Sequence, residues 1–329
     1  MSRTIVLALV FSLLHLVTPP NAAAKVTITR TNYHGWPDAY VMSNGKVAAV
    51  IVAAIGRVMQ FGFVGEEGVF WENRALDGGI ADGHLAAWAS KDWVNFGGDK
   101  AWPSPEADWS AFTSRKGWRP PPAFDGWSAD VRLSDGSLTL VTPADPFYGI
   151  IAERHIRLHS SRPEMTITTA YTREKGEPAS IGIWVITQLK EPVGLFAPVP
   201  KKSIFPEGFT LLGQDPPPSL KTTNGLIALV RNPKAAHKIG LDADSLLWVG
   251  EKHLLRIDSP RMRKGPYPDK GSSTEIYTNP DPLPYIELET LGPLHQMKAG
   301  EKIDRVNTYT LSRRTRPTPG AEARVMFHH

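Results

Sequence analysis

From residue 26 onward, apolar positions recur with a period of about two rather than 3.6, the spacing of a pleated strand with one face on a core. Val26 and Ile28 alternate with threonines, and residues 40–51 form two apolar segments around Asn44-Gly45. That pair tolerates the left-handed backbone of a two-residue hairpin turn. A second hairpin follows the same rule: Val131 and Leu133 run into Asp135-Gly136 and return through Leu138 and Leu140. Ile150, Ala152, Arg154, Ile156 and Leu158 share one face of a strand, and Ile151, Glu153, His155, Arg157 and His159 share the other. Strands are also predicted over 165–172, 180–189, 226–230, 246–249, 253–257, 285–291 and 305–312. Helix signals are few, the best being 81–90. The 29 prolines punctuate turns and would break helices. The pattern predicts an all-β chain, a large antiparallel β-sandwich with long loops rich in Trp and Pro.

The first 24 residues depart from this pattern. Arg3 precedes an apolar run over 5–17 and then Ala22-Ala23-Ala24, the layout of a secretory signal peptide cut near Ala24. The run is about 13 residues, against about 20 needed to cross a bilayer, so no membrane span is expected. Residues 47–55 are apolar too, but their length and place after a hairpin turn make them a buried strand. Residues 25–329 are then expected to form one large domain, periplasmic or secreted. The Pro-rich 214–219 is too short to be a linker. With no cysteine in the chain, disulfides, a lipid anchor on cysteine and thiolate chemistry are excluded. The formal charge is +4, and the leader removes one arginine. A balance this small, with basic residues scattered, gives no reason to expect nucleic acid.

Candidate chemistry concentrates in one stretch. Six of the ten tryptophans lie between Trp88 and Trp127, among Gly, Pro and the charged residues Asp99, Lys100, Glu106, Asp108 and Asp125. An indole has a flat apolar face and a single N–H donor, so rings on stiff loops suit a ligand with CH faces and hydroxyl edges, such as a sugar. Trp102, Trp109 and Trp118 are candidate stacking surfaces here, with Asp99 and Lys100 as hydroxyl partners. Metal and cofactor signals are absent. His155 and His159 lie roughly 13 Å apart along a strand, too far to share a zinc ion. No dinucleotide fingerprint and no Gly-x-Ser-x-Gly elbow occurs.

The C-terminal text Tyr285-Ile286-Glu287-Leu288-Glu289-Thr290-Leu291-Gly292-Pro293-Leu294, then Met297-Lys298-Ala299-Gly300-Glu301 and Tyr309-Thr310-Leu311, resembles the closing strands of the galactose mutarotase-like (aldose 1-epimerase-like) superfamily. Gly97-Gly98-Asp99-Lys100-Ala101-Trp102 is similar to its cleft motif, with shortened spacing. Trp71-Glu72-Asn73-Arg74 and the Pro-rich loops add to a likeness with an exported branch of that group. The resemblance implies the superfamily's β-supersandwich and makes Glu289 the candidate base. Mutarotation also needs an acid at the ring oxygen, and the family's usual mid-strand histidine is not found. The corresponding strand offers Trp184 and Thr187-Gln188, and a tryptophan stacks on sugars but cannot act as a proton-donating acid. His84, Asp99, Lys100 and His155 are the remaining candidates for the acid. Glu287 and Glu289, two apart on one strand, project from the same face. Three readings follow: a carbohydrate-binding protein using these residues and Trp184, a sugar-active isomerase, hydrolase or lyase with Glu289 as base, or an envelope protein whose rings form an interface. They turn on whether Glu289 and the 97–109 stretch meet in space.

Overall fold

The computed structural model describes residues 25–80, 85–90, 93–115 and 117–327. The predicted leader and His84 lie outside the described residues. In chain order the strands are β1 Thr27–Tyr33, β2 Trp36–Ser43, β3 Val47–Val52, β4 Arg57–Phe63, β5 Asp99–Ser104, β6 Asp130–Ser134, β7 Ser137–Val141, β8 Ile150–Leu158, β9 Glu164–Arg173 and β10 Ala179–Lys190. They continue with β11 Gly194–Pro198, β12 Thr210–Leu211, β13 Lys221–Thr223, β14 Leu226–Leu229, β15 His237–Leu241, β16 Ser245–Val249, β17 His253–Asp258, β18 Thr274–Thr278, β19 Tyr285–Leu291, β20 His295–Met297 and β21 Lys302–Arg313. Among the described residues there are three short α-helices, α1 Leu85–Ser90, α2 Trp109–Thr113 and α3 Pro319–Phe327, and five single helical turns.

The strands form two antiparallel sheets. The larger, 11-stranded sheet runs β1-β2-β3-β4-β5-β10-β19-β18-β15-β12, with β20 beside β10; the 10-stranded sheet runs β13-β14-β11-β16-β17-β21-β9-β8-β7-β6. Their facing sides share one core: Ile51, Phe61, Leu189, Ile239, Ile276 and Leu288 from the larger sheet meet Leu140, Ile156, Ile167, Leu246, Leu255 and Leu311 from the smaller. This is the sandwich that the period-two pattern predicts. Both sequence-read hairpins are present, with Gly45 at φ 82° between β2 and β3 and Gly136 at φ 67° between β6 and β7.

β10 breaks the alternation rule. Its residues from Ile181 to Leu189 are all buried, although only every second one faces the core. The outward Trp184 is covered from the other side by Trp109, in chain that follows β5. That segment, 105–127, holds the helical turn Glu106–Asp108, α2 and the turn Pro122–Phe124. Asp125 fastens it. Its carboxylate pairs with the buried guanidinium of Arg57 at 2.5 Å and accepts the indole N–H groups of Trp93 at 2.6 Å and Trp102 at 3.1 Å. A carboxylate with three charge-assisted or polar donors can be buried without an unpaired charge.

Candidate functional site

Antiparallel pairing sets which side chains of the larger sheet share its outer face, because directly opposed residues project to the same side. The register gives three rows. One joins Trp102, Trp184 and Leu291; the next joins Lys100, Ile186, Glu289, Glu275 and Gly240; the third joins Gln188, Glu287, Tyr277 and Lys238. Five central strands therefore bring three carboxyls, two ammonium groups and an amide to one place. β5 enters it through Gly97-Gly98. Both glycines have positive φ, and a Cβ on Gly97 would stand 2.3 Å from the Trp71 carbonyl oxygen, so a side chain there would push β5 off the sheet.

Glu275, Glu289 and Gln188 are fully buried and Lys100 is 1% exposed. Lys238 Nζ bridges the first two, 2.7 Å from Glu275 Oε2 and 3.0 Å from Glu289 Oε2. It also lies 4.5 Å from the ring centre of Trp184. The Trp184 indole N–H donates to the same Glu289 oxygen at 2.7 Å. Lys100 Nζ sits 4.7 Å from the ring centre of Trp102 and 3.7 Å from Glu287 Oε1, the oxygen that accepts from Gln188 Nε2 at 2.7 Å. Each ammonium is thus held between a ring face and carboxylates, an arrangement that offsets part of its desolvation.

Burial and crowding displace the protonation equilibria. Burial pushes the Glu275 carboxyl well above the ordinary carboxylate range, with Lys238 pulling the other way and the Glu289 charge adding repulsion. Burial also raises Glu287, against the pull of Lys100, and raises Glu106 of the covering segment, against the pull of Lys238. Lys100 is lowered to about 8, burial outweighing the attraction of Glu287. Burial works to lower Lys238 as well, but the Glu275 and Glu289 charges together carry it well above its usual value. Burial and the neighbouring Glu289 thus both favour a proton on Glu275, and the Lys238 ammonium opposes them.

The 97–109 stretch and Glu289 meet here. Trp184, bonded to Glu289, packs edge-on against Trp102 with ring centres 5.4 Å apart, and lies 6.1 Å from Trp109. Trp93 and Trp118 extend the cluster, with Trp118 5.1 Å from Trp93 and 5.9 Å from Trp102. Glu106 accepts a hydrogen bond from Trp118 and feels both Lys238 and Glu287. Of the residues picked from sequence, Lys100, Trp102, Trp184, Glu287 and Glu289 share the outer face, and Trp109 and Trp118 belong to the cover.

Asp99 does not join them. It points into the core side of β5, where it pairs with Arg154 of the smaller sheet and accepts from the Thr187 and Tyr309 hydroxyls at 2.6 Å each; the pleat separates it from Lys100 by one position. His155 lies on the smaller sheet, bonded to Thr139, and so is no acid for Glu289. The stacking role expected of Trp102, Trp109 and Trp184 needs correction too. Each is only 3% exposed, with its N–H committed to Asp125, the Pro103 carbonyl or Glu289. Trp118, 47% exposed, is the ring of the four that offers a face. Lys238, Glu275 and Tyr277 were missed, because β15 and β18 give no period-two signal strong enough to name and only the register places them beside Glu289. Among the described residues, no group of three or more His, Asp or Glu is arranged to hold a metal ion, and no helix is long and apolar enough to cross a membrane.

Two antiparallel sheets of this size, with a polar constellation on the outer face of the larger, define a β-supersandwich. It is the galactose mutarotase-like fold. The chain is similar to a galactose mutarotase-like protein from Lactobacillus casei, with a TM-score of 0.57 and 10% identity over 83% of this chain and 100% of that one. A provisionally named aldose 1-epimerase from Escherichia coli K12 gives 0.55 and 12%, over 84% of this chain and 99% of that one. A TPR-domain containing protein from Parabacteroides distasonis gives 0.52 and 15%, over 83% of this chain and 47% of that one. No family model matches the sequence, and no curated protein does.

Proposed function

We propose that the outer face of β5, β10, β19, β18 and β15 binds a carbohydrate, in an exported protein whose leader is residues 1–24. One observation carries the reading: charged and amide groups from five strands converge beneath an aromatic cover, with Gln188, Glu275, Glu289 and Lys100 buried, Glu287 and Lys238 partly open, and Trp118 exposed. A sheet face kept only for stability would bury apolar residues there, since each buried charge costs several kcal/mol before pairing returns part of it. The names of the galactose mutarotase-like and aldose epimerase-like neighbours point the same way. Ring contact would come from Trp118, with Glu106, Glu287 and Lys238 reaching the hydroxyls. Tryptophan fluorescence titrated with a panel of mono- and oligosaccharides tests this. A saturable change that Trp118→Ala weakens by about tenfold or more, at unchanged circular dichroism, is expected. No response from any sugar would defeat the reading and favour a protein interface.

A second reading, catalysis, is favoured by the Glu275–Glu289 pair. Glu289 would take the proton of the anomeric hydroxyl, and Glu275, on which burial favours a proton, would donate to the ring oxygen. This pair stands in for the glutamate and histidine of an aldose epimerase. Optical rotation of freshly dissolved α-glucose and α-galactose decides: a rate equal to buffer removes the epimerase version, and Glu289→Gln should abolish any catalysed rate.

A further inference from the structure

Resting on the carbohydrate reading above, we propose that the site selects a sugar carrying a free, protonated amine, a hexosamine or the end of a de-N-acetylated hexosamine chain, over its neutral and anionic counterparts. The polar atoms left without a hydrogen-bond partner are the ground for this. Glu275 Oε1, Glu289 Oε1 and Gln188 Oε1 are buried acceptors with no donor, whereas the buried donor of the same cluster without a hydrogen-bond acceptor is Lys100 Nζ. An acceptor oxygen is satisfied only by a ligand N–H or O–H. A proton carried by Glu275 would reduce this excess without reversing it.

Charge adds to the count. Glu106, Glu275, Glu287 and Glu289 surround two ammonium groups, Lys100 and Lys238, and both are already engaged by carboxylates and ring faces. A ligand carboxylate or phosphate would meet carboxyls without a free cation to answer it. A ligand ammonium supplies three donors and no acceptor, and the incompletely buried Glu106, Glu287 and Trp118, whose ring face attracts a cation, are the groups that would receive it. Hydroxyls satisfy the same oxygens more weakly, since hydrogen bonds to a charged donor are about twice as strong.

Calorimetric titration of the whole protein with glucosamine, N-acetylglucosamine, glucose and glucuronate, and with a chitosan tetramer beside its N-acetylated form, tests the proposal. Amine-bearing sugars should bind at least about tenfold more tightly than the matched acetylated ones, equivalent to about 1.4 kcal/mol. Glu287→Gln should bring the ratio to within about twofold, with native circular dichroism at the titration temperature showing that the variant is folded. Acetylated or neutral sugars binding as tightly as amines would overturn the inference and leave the carbohydrate reading standing. A preference for glucuronate would overturn it outright, and silence from every sugar would remove both.

Discussion

Lys238 is the residue on which the site's electrostatics turn, and replacing it by methionine keeps the stem while deleting the charge. Its Nζ lies 2.7 Å from Glu275 and 3.0 Å from Glu289, both fully buried. Removing one partner from a buried ion pair costs about 3–5 kcal/mol, because the counter-charge is left unpaired. Here the cost can be relieved by a proton. Lys238 is the influence that most strongly pulls the Glu275 pKa down against burial, so without it that carboxyl protonates more readily. A carboxyl whose folded pKa lies above its unfolded value holds more protons in the folded state. Its stabilising contribution is complete below the unfolded pKa, about 4.3 for Glu, and is lost as pH rises through the folded one. Lys238→Met should therefore melt about 6–10 °C below wild type at pH 8, at about 2 °C per kcal/mol for a domain of this size. At pH 5 the gap should shrink to less than about half. Thermal melts of both proteins by circular dichroism give the comparison. A gap equal at the two pH values, or wider at pH 5, would show that the ammonium is not what neutralises Glu275 and Glu289.

Two further outcomes follow from the same geometry. Lys100, lowered to about 8 by burial, binds fewer protons folded than unfolded between that value and about 10.4, so wild-type stability should rise across that window, by up to about 3 kcal/mol; Lys100→Met should flatten the rise in denaturant titrations at stepped pH. Asp99→Asn, which leaves the buried Arg154 without its counter-charge, should cost about 3–5 kcal/mol in the same titrations. It should leave sugar affinity within about twofold, and a larger loss of affinity would place Asp99 in the site after all.

Much of the fold is legible in the sequence because turn chemistry is local. Asn44-Gly45 and Asp135-Gly136 name their hairpins through backbone conformations that few residues adopt, and the strands on either side follow by alternation. β10 hides its orientation because both of its faces are buried, so its text is a continuous apolar run in which Trp184 and Gln188 look no different from core positions. Glu287 and Glu289 reveal their shared face through spacing on one strand. Glu275 and Lys238 do not, since a single charged residue on a short strand reads as solvent-facing until pairing with β19 is known. Asp99 misleads for the opposite reason: a carboxylate next to a candidate lysine looks like a partner, and the pleat turns it toward Arg154 and Tyr309 instead. The tryptophans identify the right region but not the right ring, because which indole stays open depends on how 105–127 folds back over the sheet.

That fold-back is secured from one carboxylate. Asp125 holds Arg57, Trp93 and Trp102 at once, whereas Glu106 and Trp118 make no hydrogen bond with it among the described interactions. Support and content of the cover are thus separable. Substitutions at 106 and 118 leave the Arg57–Asp125 pair itself untouched. A lineage, or a designer, could retune what the site accepts by rewriting a dozen or so surface positions while the buried charges of β15, β18 and β19 stay as they are.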